Sequence, residues 1–177
     1  STRLTGEPGY PVLERVWARP TLEVHGIAGG FTGAGAKTVI PARATAKVSM
    51  RMVPNQNPEK IIAAYRKFVA DNTPAGIETE VRVLSWGPAI MVNPDHPAIG
   101  VAAKAFADIM GKETVFIRSG GSIPIVGDFA KHLGIPTILM GFGLPDDGLH
   151  SPNEKYKIAN YYAGIMTIAH FFEQYGK

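Results

Sequence analysis

Apolar and polar residues alternate most cleanly from Thr45 to Met52. Ala46, Val48, Met50 and Met52 fall on one side and Thr45, Lys47, Ser49 and Arg51 on the other, the period-two signature of a strand with one buried face. Arg19–Ile27 shows a weaker version, with Leu22 and Val24 alternating with Thr21, Glu23 and His25. A glycine-rich turn (Gly29, Gly30, Gly33, Gly35) separates the two runs. Asn57-Pro58 predicts a helix start, an N-cap followed by proline at the first helical position. Ile61, Ile62, Tyr65, Phe68 and Val69 then recur at helical spacing to about Asp71. Asn72–Gly76 breaks the helix, and Ile77, Thr79, Val81 and Val83 predict a third strand. Strand–strand–helix–strand is three quarters of a βαββαβ antiparallel sandwich, whose leading strand and helix are expected before Ser1. The first stretch, with Gly6, Pro8, Gly9, Pro11 and Pro20, reads as an irregular lead-in with a short apolar segment.

Beyond Asn93-Pro94-Asp95-His96-Pro97 the period changes. Ile99, Ala102, Phe106 and Ile109 predict a helix ended by Gly111, followed by a short strand over Thr114–Ile117. A helix over Ile123–Leu133, a buried strand over Pro136–Met140 and a last helix over Lys157–Tyr175 complete the series. Helices alternating with short apolar strands imply an α/β layer with a largely parallel sheet. Two strands are too few to cover these helices, so the sheet is expected to continue outside this chain. The expected division is therefore residues 1–93 as an incomplete α+β domain and 94–177 as part of an α/β domain.

Composition narrows the function classes. The chain has 177 residues, a soluble-protein balance of residue types and no apolar run near the ~18 residues of a membrane span. It has no cysteine, which excludes a disulfide framework and thiolate metal sites and fits a reducing compartment. The net charge of +3 is not concentrated in a basic stripe, so nucleic acid is not an expected partner. Ser1-Thr2-Arg3-Leu4 lacks the charged head and apolar core of a signal peptide, and a cytoplasmic location is expected.

Two segments concentrate candidate chemistry. Asp146-Asp147-Gly148-Leu149-His150 joins a predicted buried strand to the final helix, and open α/β sheets place ligands at such strand ends. His150 suits zinc, with Asp146 or Asp147 as a further ligand or an orienting partner; an Asp-Asp-Gly turn before a helix explains the same residues without a metal. Arg118-Ser119-Gly120-Gly121-Ser122 follows a strand and opens a helix. Its free amides, glycines and hydroxyl can cradle a carboxylate or an oxyanion, and a tight turn relieved by glycine is the simpler alternative. Arg51, on the polar face of its strand, can clamp a carboxylate through two hydrogen bonds or be an ordinary exposed arginine. The run Gly30–Thr38 is not a phosphate loop, because Ala36 separates Gly35 from Lys37 and a strand follows. His25, His96, His132 and His170 have no ligand spacing, and no Gly-x-Ser-x-Gly elbow surrounds Ser122.

Taken together, His25-Gly26-Ile27 through Gly35-Ala36-Lys37-Thr38-Val39-Ile40-Pro41, Ser49–Pro54, Arg118–Pro124 and Asp146–Lys155 resemble the zinc-dependent aminoacylase, carboxypeptidase and carnosine dipeptidase family of metallopeptidases. The match is closest to the dipeptidase branch. The resemblance implies a three-layer α/β catalytic domain interrupted by a smaller ferredoxin-like βαββαβ lid that forms a homodimer. Residues 1–93 would then be most of the lid and 94–177 the C-terminal part of the catalytic domain. It further implies His150 as a ligand to one of two zinc ions, with manganese or cobalt as alternatives. Arg51, Gly120, Gly121 and Ser122 would hold the substrate's carboxylate end, and Thr38 would reach the partner subunit's active site. The substrate class implied is a dipeptide or N-acyl amino acid. The family's other metal ligands, its general base and its lid histidine have no counterpart in this chain, so the chain alone is expected to be inactive. Ser119 stands where many dipeptidases have glutamate. A competing reading is a non-catalytic dimerisation or amino-acid-binding module with a lid-like fold.

Overall fold

The computed structural model describes residues 4–119 and 123–177. It is α/β in content: α1 (Val12–Ala18), β1 (Thr21–Gly29), β2 (Ala44–Arg51), α2 (Pro58–Asp71), α3 (Pro97–Met110), α4 (Pro124–Leu133) and α5 (Ile158–Tyr175). The chain divides into two compact units, one of residues 1–90 and 117–128, the other of residues 91–116 and 129–177.

In the first unit β1 and β2 form an antiparallel pair with Leu22 opposite Met50 and Val24 opposite Val48. The apolar positions of the two strands therefore share a face. A bulge between Val24 and Gly26 then shifts the register, so that Ile27 faces Ala46. The extra residue, His25, moves the apolar phase of β1 from even to odd positions and keeps Leu22, Val24 and Ile27 on one side. Asn57 caps α2 as its sequence predicts, its side-chain oxygen accepting from Lys60 N at 3.0 Å with Pro58 in the first turn. Gly127 of α4 packs under Pro88 and Ile90, where a Cβ would meet Pro88 Cγ at 3.0 Å.

The second unit is built on α3 against α5. Ala102, Ala105 and Phe171 form its buried cluster, with Val101, Ile138 and Met140 packed on it. Alanines at 102 and 105 let the helices approach closely, and Phe106 stacks on Phe142 at 5.3 Å between centroids. His96 caps α3, its Nδ1 accepting from Ala98 N at 3.2 Å. Gly111 ends that helix in the left-handed conformation with φ 67°, the usual use of glycine at this position.

Four sequence expectations need correction. Ile77–Val83, Thr114–Ile117 and Pro136–Met140 form no strand, and the sheet among the described residues has two strands. A strand exists through its hydrogen-bonded neighbour, and these runs have none here. Ile138 and Met140 nevertheless bury apolar surface on the helical core, whereas Leu84, just past the first run, is 91% exposed. The lead-in contains a helix rather than irregular chain throughout. In α1, Val12-Leu13-Glu14-Arg15-Val16-Trp17-Ala18 has no breaker and carries an acidic residue in its first turn.

Candidate functional site

The 144–155 loop of the second unit is tied down by its own backbone and side chains. Leu144 N donates to Asp147 Oδ2 at 2.6 Å and Asp147 N to Leu144 O at 3.1 Å. Lys155 closes the loop twice, its backbone N donating to Asp147 O at 2.9 Å and its Nζ to Asp146 Oδ2 at 2.6 Å. Gly148 is required on two counts. Its φ is 67°, and a Cβ there would lie 2.8 Å from Ser151 Oγ, which donates to Gly148 O at 2.6 Å. This scaffold presents His150, exposed to solvent, with φ 61°. A non-glycine residue in that region stores conformational strain.

The two aspartates have different fates. Asp146 is held as a carboxylate by the hydrogen bond from Lys155, which lowers its pKa. Asp147 is 2% exposed, and its Oδ1 has no partner while buried. An orphaned buried carboxylate oxygen is costly, and Asp147 therefore has an unused acceptor at the base of the loop. Among the described residues no three His, Cys, Asp or Glu side chains converge as metal donors. One imidazole falls short of the three or four ligands zinc takes from a protein, so these residues do not by themselves build a metal site.

In the first unit Arg51 ends β2 opposite Thr21 and lines a cleft of about 690 Å³ together with Ser119, Trp17 and Arg15. Sequence spacing did not place Arg51 and Ser119 together; the fold does. Thr38 is exposed in the irregular connection between β1 and β2. Gly120, Gly121 and Ser122 lie outside the described residues. The N-terminal contribution to the cleft, from Thr5 to Arg19, was missed by sequence reasoning; the only local signal was the Arg15, Trp17, Arg19 alternation before a strand.

Comparison with known proteins decides the family. The model of peptidase family M20/M25/M40 matches residues 4–174. The chain belongs to this family. It is 37% identical over 174 residues to the Cys-Gly metallodipeptidase DUG1 of Candida albicans, covering 94% of this chain and 35% of that protein. It is 33% identical over 164 residues to the human Beta-Ala-His dipeptidase, covering 91% and 32%. Among solved structures, the dipeptidase Dug1p of Saccharomyces cerevisiae superposes with a TM-score of 0.78 at 35% identity, over 90% of this chain and 34% of that one. The M20 metallo-carboxypeptidase Sso-CP2 of Sulfolobus solfataricus gives 0.77 at 30% identity, over 94% and 39%. The M20 chain thus spans about a third of the length of the curated relatives it matches.

Proposed function

We propose that this M20 chain is the C-terminal part of a homodimeric, cytoplasmic di-zinc exopeptidase that hydrolyses dipeptides or N-acyl amino acids. Residues 1–93 then belong to a ferredoxin-like lid that carries the dimer contact, and 94–177 to a three-layer α/β catalytic domain. The observation that carries the reading is His150, an exposed imidazole held in a strained backbone conformation by a loop locked at Gly148 and Lys155. Strain kept at an exposed side chain is a mark of a functional position. The names of the relatives, metallodipeptidases in yeasts and a dipeptidase in human, support the substrate class.

In this reading a bound metal would supply an activated water and polarise the amide carbonyl. His150 is the one metal ligand from this chain. Asp147 Oδ1, buried and unpaired, accepts a hydrogen bond from a group outside it and keeps the loop in place. Arg51 fixes the substrate carboxylate by paired hydrogen bonds, assisted by Gly120, Gly121 and Ser122. Thr38 reaches across the dimer. Among the described residues no set of metal donors converges, so in this reading the chain alone hydrolyses nothing.

The test uses the full-length protein with Cys-Gly, β-Ala-His and N-acyl amino acids as substrates and zinc measured after dialysis. Wild type is expected to hydrolyse at least one dipeptide or N-acyl amino acid and to hold about two zinc ions per chain. His150→Ala is expected to lower kcat/KM by more than about a hundredfold, beyond the loss typical of an outer-sphere partner, and to lower the zinc content. Hydrolysis that survives unchanged in His150→Ala, or full-length protein inert toward dipeptides and N-acyl amino acids alike, would refute it.

A further inference from the structure

The first unit's cleft holds a charge that the exopeptidase reading does not use. Its lining carries the guanidinium groups of Arg15, Arg19 and Arg51 against the carboxylates of Glu7 and Glu23. Arg19 and Glu7 neutralise each other through a two-bond pair, Nε to Oε2 at 2.8 Å and Nη2 to Oε1 at 2.6 Å, and the Arg19 guanidinium also lies over the Tyr10 ring at 4.3 Å. Glu23 accepts from Ser49 Oγ at 3.5 Å. Arg15 is held differently. Its Nε donates to Tyr10 O at 2.7 Å and its Nη1 to Thr5 O at 3.4 Å. Both acceptors are neutral carbonyls, so they fix the position of the group without cancelling its charge. Glu7, a carboxylate that feels the Arg15 charge, is already committed to Arg19.

The result is a half-buried, pre-positioned cation on the wall of a cleft that also contains Arg51 and Ser119, with Trp17 as an apolar surface beside it. Its volume, about 690 Å³, is that of a small-ligand site. A guanidinium fixed in advance by backbone acceptors recognises a carboxylate with little further loss of side-chain freedom. We propose that this cleft takes the acidic side chain of a substrate's C-terminal residue, aspartate or glutamate, and that Arg15 is the specificity-determining residue. The inference rests on the exopeptidase reading, in which Arg51 holds the α-carboxylate and leaves Arg15 for a second one. Serine at 119, small and uncharged, leaves the approach open where a glutamate would repel such a substrate.

The test compares isosteric pairs on the full-length enzyme: kcat/KM for Ala-Glu against Ala-Gln, and for Ala-Asp against Ala-Asn. The acid is expected to be preferred by roughly tenfold or more, as for a charge-assisted contact. Arg15→Gln is expected to reduce the ratio to about one, and Arg15→Lys to retain part of it. Because each ratio is taken on one preparation, loss of folded protein cancels. A wild-type ratio of one or less, with Ala-Gln hydrolysed, overturns the role of Arg15 and leaves the exopeptidase reading intact. A ratio unchanged in Arg15→Gln does the same. Hydrolysis of none of the four while Cys-Gly, β-Ala-His or an N-acyl amino acid is cleaved overturns the role of Arg15 alone, and hydrolysis of none of these substrates overturns both.

Discussion

Two glycines in the second unit separate backbone from packing effects. Gly111 needs its left-handed φ of 67°, but a Cβ there would meet nothing within 4 Å. Gly164, inside α5, would place a Cβ 3.2 to 3.4 Å from the Phe142 ring, which is itself pinned by Phe106. Gly111→Ala is expected to cost about 1 kcal/mol, the penalty of the left-handed conformation. Gly164→Ala gains helix propensity but overpacks the ring, for a net loss of about 1–2 kcal/mol. Urea unfolding of the full-length protein checks both, and adding Phe142→Leu should rescue Gly164→Ala and leave Gly111→Ala unimproved. Equal rescue of both would rule out the ring as the cause. The two differ in legibility for the same reason. Gly111 follows an apolar helical pattern and is readable as a stop, whereas the need for Gly164 exists only once Phe142 is beside it.

At the scale of elements, α3 and α5 are joined on their solvent side through one carboxylate oxygen. Asp108 Oδ2 receives Lys104 Nζ at 2.6 Å, His170 Nε2 at 3.2 Å and Gln174 Nε2 at 3.3 Å. These bonds, that of Lys104 foremost and then that of His170, hold the Asp108 carboxyl down to about 2. A carboxyl depressed in the folded state stabilises it fully above its ordinary pKa, near 3.8, and ceases to do so as pH falls toward 2. Asp108→Asn should therefore be less stable than wild type by a constant amount above about pH 5, with the gap closing toward pH 2. Exchange rates of α3 and α5 amides across that range measure it, and a gap that persists undiminished at pH 2 would exclude the linkage. His170 carried no motif in the sequence, because its partner is 62 residues away. Helix starts and stops, written locally at Asn57-Pro58 and Gly111, were readable; the bulge at His25 was not, because it is a property of two paired strands.

At the scale of the whole molecule, the site was legible in kind and not in arrangement. The loop containing His150 and the strand bearing Arg51 stood out by residue type, but the cleft shared by Arg51, Ser119 and Arg15 brings together residues far apart in the sequence. The runs at 77–83, an alternation, and 114–117, a short apolar stretch, were expected as strands, but neither has a hydrogen-bonded neighbour among the described residues. Their apolar positions stay open, Val115 at 77% exposure, and unpaired apolar runs invite pairing with other chains. The isolated chain is accordingly expected to self-associate in light scattering. It should also retain well under one zinc ion after dialysis, as a single imidazole cannot replace three or four ligands. Two tightly held ions in the isolated chain would contradict that donor count.

The φ of 61° at His150 has a consequence for engineering. Glycine or asparagine would occupy that backbone position at lower cost than histidine. A library of variants at position 150 selected only for resistance to heat or protease should thus enrich glycine and asparagine and discard the imidazole. Selected on dipeptide turnover, the same library should return histidine despite its lower melting temperature. The two selections pull this one residue in opposite directions.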